Sequence, residues 1–167
     1  MTAVFVAAAI VFVPMLIETW ISARNERGLR ALGAVEPDGD VYRTMAIAYP
    51  AAFVAMAAEG AVRGAGVDTW FGAGLVVFAL AKALKYWAIA SLGSRWTFRV
   101  LVPPGSTRTV RGPYRWLAHP NYLAVTGELA GAALAMHALV AGPLAVAGFG
   151  WLMLRRIGIE ENALARG

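Results

Sequence analysis

Long runs of alanine, leucine, valine and phenylalanine predict an all-α, polytopic membrane protein with about five transmembrane helices in a single domain spanning residues 1–167. Composition points the same way: 59% of the chain is hydrophobic, 15% is charged, and the mean hydropathy is +0.60. Soluble domains carry roughly a quarter of their residues as charges. The apolar runs are continuous and lack the period-two alternation of strands, so they read as helices.

The first span is expected over about Ala3 to Ala23, with Pro14 as a kink. It has neither a basic leader nor a small-residue cleavage site, which marks an anchor and not a cleaved signal peptide. The second span covers about Tyr42 to Val62 and the third about Trp70 to Leu92. The fourth is expected from about Tyr122 to Val140. After a tight Ala141-Gly142-Pro143 turn, the fifth runs to about Leu154, so these two form an antiparallel helical hairpin. Gly127, Gly131, Ala132 and Ala135 would let the hairpin helices approach closely.

Basic residues set the expected orientation. The segments Arg24–Arg43, Arg95–Arg115 and Arg155–Arg166 hold 4, 5 and 3 of them, 12 of the 15 Lys+Arg. With five spans they fall on one face, the cytoplasmic one, leaving the N-terminus outside and the C-terminus inside. That bias also accounts for the net charge of +5, and nothing resembles a nucleic-acid-binding module. With no cysteine, disulfides and thiol chemistry are excluded. Two histidines, His119 and His137, are too few for most zinc sites.

Charges inside spans are costly unless paired or exposed to a cavity. Lys82 and Lys85 lie three apart and share a face of the third helix. Lys85 and Glu128 fall at similar depth, so a bridge between them is expected, with Lys82 or Glu18 as further members. A register-fixing salt bridge and a substrate-cavity role both remain open. Glu59 and His137 lie near the outer ends of their spans, as interfacial residues do.

Two polar clusters stand out. The first is Gly112-Pro113-Tyr114-Arg115-Trp116-Leu117-Ala118-His119-Pro120-Asn121-Tyr122, just before the fourth span. Proline favours an early helical position and keeps the preceding His119 out of helical geometry. The imidazole then sits at a helix mouth, beside backbone N–H groups that attract a carboxylate or phosphate. Tyr114 and Tyr122 add aromatic walls, although tyrosines here also suit an ordinary interfacial belt. The second cluster is Arg155-Arg156 with Glu160-Glu161. On a continuing helix both carboxylates would lie near the Arg156 guanidinium, whose fork suits an anionic oxygen. A helix-end salt bridge explains that cluster equally well on its own.

Together, Leu92-Gly93 with Arg95-Trp96, Gly112-Pro113-Tyr114-Arg115, His119-Pro120-Asn121-Tyr122, and Arg156 with Glu160-Glu161 and Leu164 resemble the isoprenylcysteine carboxyl methyltransferase family. The likeness covers roughly the last 75 residues, from about residue 92 onward. Members are integral membrane enzymes that transfer a methyl group from S-adenosylmethionine. The resemblance implies that Tyr114, His119, Pro120, Tyr122 and Glu160 surround that cofactor on the cytoplasmic side. It also implies that Arg156 and Glu161 sit at the reacting end. Ala118 and Ala124 depart from the family, which usually has arginine and glycine there. The expected acceptor is a carboxylate or phenol oxygen on a lipophilic or prenylated molecule held among membrane lipids, with no protein partner required. The Ala/Gly/Arg-rich composition suggests a GC-rich bacterial genome, and hence a bacterial inner membrane. An NADPH-dependent reductase of the sterol-reductase type shares the His-Pro-Asn-Tyr likeness and is the alternative. A non-enzymatic membrane scaffold is the third reading.

Overall fold

The structure, a computed structural model, describes residues 2–37, 39–105 and 109–166, without the side chains of residues 2, 3, 160 and 162–166. Its helices are α1 (Thr2–Ala31), α2 (Tyr42–Val62), α3 (Thr69–Leu92), α4 (Pro120–Ala135) and α5 (Ala141–Arg166). Two short 3-10 turns, Gly93–Arg95 and Gly112–Arg115, lie in the α3–α4 connection.

Both α2 and α3 agree with the apolar runs to within a residue. Helix α1 passes through Pro14 and continues to Ala31, beyond the expected end. Its last turns bury Ser22, Asn25 and Leu29 while leaving arginines outside. Among the described residues three segments, Val4–Ala31, Tyr42–Val62 and Thr69–Arg95, are long and apolar enough to cross a membrane. The expected fourth and fifth spans are less regular. Helix α4 has 16 residues, about 24 Å against a hydrocarbon core of about 30 Å. Helix α5 has 26 residues but turns polar from Arg155 onward.

The hairpin turn lies earlier than Ala141-Gly142-Pro143. It occupies residues 136–140, where His137 adopts φ +53°, and Pro143 sits in the first turn of α5. Proline is welcome there because its missing N–H would have no helical partner. The orphan donors at this helix start are capped from another element: the Glu59 carboxylate of α2 accepts from Val140 N at 3.0 Å and Ala141 N at 2.7 Å. His137 Nε2 lies 3.1 Å from Asp68 Oδ1, and Asp68 also caps α3 by accepting from Phe71 N at 2.9 Å. The Phe71 N–H holds the Asp68 carboxyl below its ordinary range, outweighing partial desolvation, and His137 adds to the effect. Glu59 and His137 thus tie together the end of the bundle opposite the basic clusters.

Close packing of small residues occurs at a different interface from the one expected. A Cβ on Gly131 would fall 2.6 Å from Phe78 N, and one on Gly74 would fall 2.6 Å from Gly131 O. Gly127 likewise faces Ala81. The small face of α4 therefore meets α3, and it is Gly142 of α5 that approaches Ala133. Because backbone atoms cannot give way, Gly131→Ala should force α3 and α4 apart and cost about 1–3 kcal/mol. Thermal unfolding in detergent checks this, and an unchanged midpoint would refute the close contact.

Phe53, Met56, Leu129 and Met136 are fully buried at the centre. Tyr49 packs edge-on to Phe53 at 4.9 Å and against Phe149 at 5.2 Å. Outward, Phe5, Leu16, Ile47, Val76 and Leu154 are exposed, as lipid-facing positions must be.

Candidate functional site

The α3–α4 connection forms a strap over one end of the bundle. Gly93, at φ +57°, ends α3, and Asn25 Nδ2 of α1 then donates to Gly93 O at 3.1 Å and Trp96 O at 2.8 Å. The Trp96 side chain is buried. Phe98 N donates to Ser22 Oγ at 2.9 Å. Arg99 pairs with Glu36 at 2.7 Å and Glu26 at 3.3 Å. Burial alone would raise the Glu36 carboxyl, but hydrogen bonds from Arg30 and Arg99 outweigh it and leave its pKa lowered. An antiparallel bridge between Val35 and Val102 completes the clasp. Later in the connection Gly112 adopts φ +56°, and a Cβ there would meet Ser91 Cβ at 2.9 Å, so only glycine fits.

His119 behaves as its neighbour proline demands. It has φ −133° and ψ 66°, outside helical geometry, and Pro120 opens α4. The His119 side chain itself makes no capping hydrogen bond to this helix start. The imidazole stacks on the Tyr122 ring at 5.3 Å and 20°. Its Nε2 lies 3.6 Å from Glu161 Oε1 of α5, which brings the two sequence clusters together across the mouth.

Arg156 is differently partnered than its spacing suggests. Its Nε is 3.7 Å from Asp40 Oδ1, a carboxylate only 3% exposed. One Nη donates to the Phe98 carbonyl, and the other faces Met45 Sδ at 3.8 Å. Glu161, five residues on, is rotated ~140° away around the helix and turns to His119 instead. The Glu160 side chain lies outside the described residues. Asp40 also accepts from Tyr42 N at 3.2 Å and Val100 N at 3.2 Å, so it joins the α1–α2 loop, α2, the strap and α5. Sequence reading missed Asp40; the signal was a polar Asp40–Tyr42–Arg43 group at the start of an apolar run.

These groups border one cavity of about 460 Å³, within the range that holds a drug-sized ligand. Tyr114, His119, Pro120, Tyr122, Arg156 and Glu161 all line it. Ala118, where the family usually has arginine, lines it too. Ala124 is buried in α4 and is not among the lining residues. Four buried polar atoms of lining residues, Trp96 Nε1, His119 Nε2, Asn121 Oδ1 and Arg156 Nε, have no hydrogen-bond partner among the described residues. Buried polar groups are ordinarily satisfied, so this set fits a ligand bearing both donors and acceptors.

Deeper in the bundle the expected ion bridge is a quartet. Lys82 Nζ lies 2.6 Å from Glu18 and 3.2 Å from Glu128. Lys85 Nζ lies 2.7 Å from Glu18 and 3.2 Å from Glu128. Tyr49 donates its hydroxyl to Glu128. Of this group Lys85 and Tyr49 line the cavity. Among the described residues there is no cluster of metal-ligating side chains.

The model of the isoprenylcysteine carboxyl methyltransferase (ICMT) family matches residues 73–166. An uncharacterized Bacillus subtilis (strain 168) protein, YpbQ, is 30% identical over 121 residues, covering 72% of this chain and 72% of its own length. An uncharacterized Haemophilus influenzae protein is 25% identical over 146 residues, 87% of this chain and 85% of that one. No solved structure matches the chain.

Proposed function

Because the chain belongs to the isoprenylcysteine carboxyl methyltransferase family, we propose that it is an integral membrane enzyme moving a methyl group from S-adenosylmethionine to an oxygen of a lipophilic acceptor. The observation that carries this reading is the single cavity gathering Tyr114, His119, Pro120, Tyr122, Arg156 and Glu161. Its unpaired buried donors and acceptors suit the polar groups of that cofactor.

The cofactor supplies an already activated sulfonium methyl, so catalysis needs in-line positioning more than covalent help. The stacked His119 and Tyr122 rings make a flat wall at the mouth. The start of α4 attracts a carboxylate. Arg156, held by Asp40 and the Phe98 carbonyl, presents its guanidinium to the acceptor oxygen. If the acceptor is a carboxylate, that grip suffices. If it is a hydroxyl, its proton passes to Glu161 or to His119 Nε2, which face each other at 3.6 Å. Glu160 keeps the cofactor role that the family likeness implies. In this reading the basic end of the bundle faces the cytoplasm at a bacterial inner membrane, with α4 and α5 completing the crossings, and the positive-inside bias supports it.

Calorimetric titration of S-adenosylhomocysteine into the detergent-purified protein tests this, with NADPH titrated in parallel. Saturable binding is expected, weakened about tenfold or more by His119→Ala through its lost contacts. Binding of NADPH alone would replace the methyltransferase reading with the reductase.

A further inference from the structure

The cavity is longer than a mouth. Along α2 its lining runs from Tyr42 to Pro50, and along α5 from Glu161 back to Phe149. Those stretches are about 12 Å and about 18 Å along the helix axes. The inner part is walled by Met15, Pro50, Val125 and Phe149, with Tyr49, Lys85 and Thr19 as the polar residues, Thr19 spending its proton on Met15 O at 2.8 Å.

We propose that Lys85 and Tyr49 form a subsite for an uncharged hydroxyl group on the lipophilic acceptor, separate from the oxygen that meets Arg156. The proposal rests on the methyltransferase reading for the word acceptor, and on geometry for the rest. An ammonium has three donors. Lys85 pairs with Glu18 and Glu128 and its Nζ lies 5.5 Å from the Tyr49 ring centroid, so its third N–H is left for the Tyr49 side of the space both residues line. Tyr49 spends its proton on Glu128, so its oxygen offers a lone pair. A hydroxyl answers both, accepting from Lys85 and donating to Tyr49. The quartet already balances two cations with two carboxylates, so an anionic group would bring an uncompensated buried charge. Stability does not explain the quartet, because buried ion pairs are often replaceable by apolar side chains at no loss. Ionisable groups at membrane depth beside a cavity more often serve a ligand.

Thermal unfolding of the full chain in detergent tests the subsite, with and without saturating S-adenosylhomocysteine. The probes are para-dodecylphenol and dodecylbenzene, which differ in the hydroxyl alone. The phenol should stabilise at about tenfold lower concentration, the worth of one or two buried hydrogen bonds. Tyr49→Phe, which keeps the ring, and the charge-balanced Lys85→Met/Glu128→Gln should each abolish that preference. Equal stabilisation by both probes, or a preference that survives in Tyr49→Phe, overturns the proposal. Bound S-adenosylhomocysteine without a phenol preference sinks the subsite alone. A phenol preference without S-adenosylhomocysteine binding sinks the methyltransferase reading and leaves the subsite standing.

Discussion

Arg156→Lys should lower methyl transfer by about 10²–10³-fold, the loss typical of removing one preorganised donor at a reacting oxygen. It should leave S-adenosylhomocysteine binding within a few fold. Lysine keeps the charge but loses the planar fork. The fork is what lets one nitrogen engage the Phe98 carbonyl while Nε stays beside Asp40 with no hydrogen bond of its own. Arg156→Ala goes further, leaving Asp40 buried without its cation, so it mixes a stability loss into the result. The measurement is transfer of labelled methyl from S-adenosylmethionine into the organic extract of membranes carrying each variant. Wild-type transfer in Arg156→Lys would remove this side chain from the reacting end.

Glu128→Leu alone should be among the most damaging single changes in the bundle, costing about 3–5 kcal/mol. It leaves Lys82 and Lys85 facing only Glu18 and strips Tyr49 of its acceptor, all within the buried interior. The paired change Lys85→Met/Glu128→Leu restores balance and should recover most of that loss. The signature is non-additivity, read as unfolding midpoints of the singles and the double. If the Glu128→Leu midpoint moved by only a degree or two, the quartet would not be a coupled unit.

Much of this was legible locally. The limits of α2 and α3 follow from continuous apolar runs, because lipid and core alike admit only apolar surface and satisfied backbone. The bent entry of His119 follows from Pro120, since a steric clash acts on the adjacent residue whatever the rest of the fold does. The Lys85–Glu128 pairing was readable from depth alone, because a lone buried charge is too costly to leave unpaired. Its two further members follow less directly, Lys82 from sharing a face with Lys85 and Glu18 as another carboxylate inside a span.

Other features had no local signal. Gly131 announces a close approach but not to which helix, and α3 and not α5 supplies the backbone it touches. The hairpin turn precedes Ala141 because Glu59, far away in sequence, caps the start of α5. Spacing placed Arg156 with Glu161, yet helical rotation and a carboxylate from the α1–α2 loop decided otherwise.

By itself, then, the sequence determined a helical membrane chain with a basic end, a family membership and a set of chemical groups. Those properties reside in residue type and near-neighbour spacing. Only the tertiary structure decided that Asp40 holds Arg156, that Glu161 meets His119, and that Lys85 and Tyr49 look into the same cavity. Such pairings join residues from separate helices, and their geometry depends on how side chains fill the space between helices once the chain has packed.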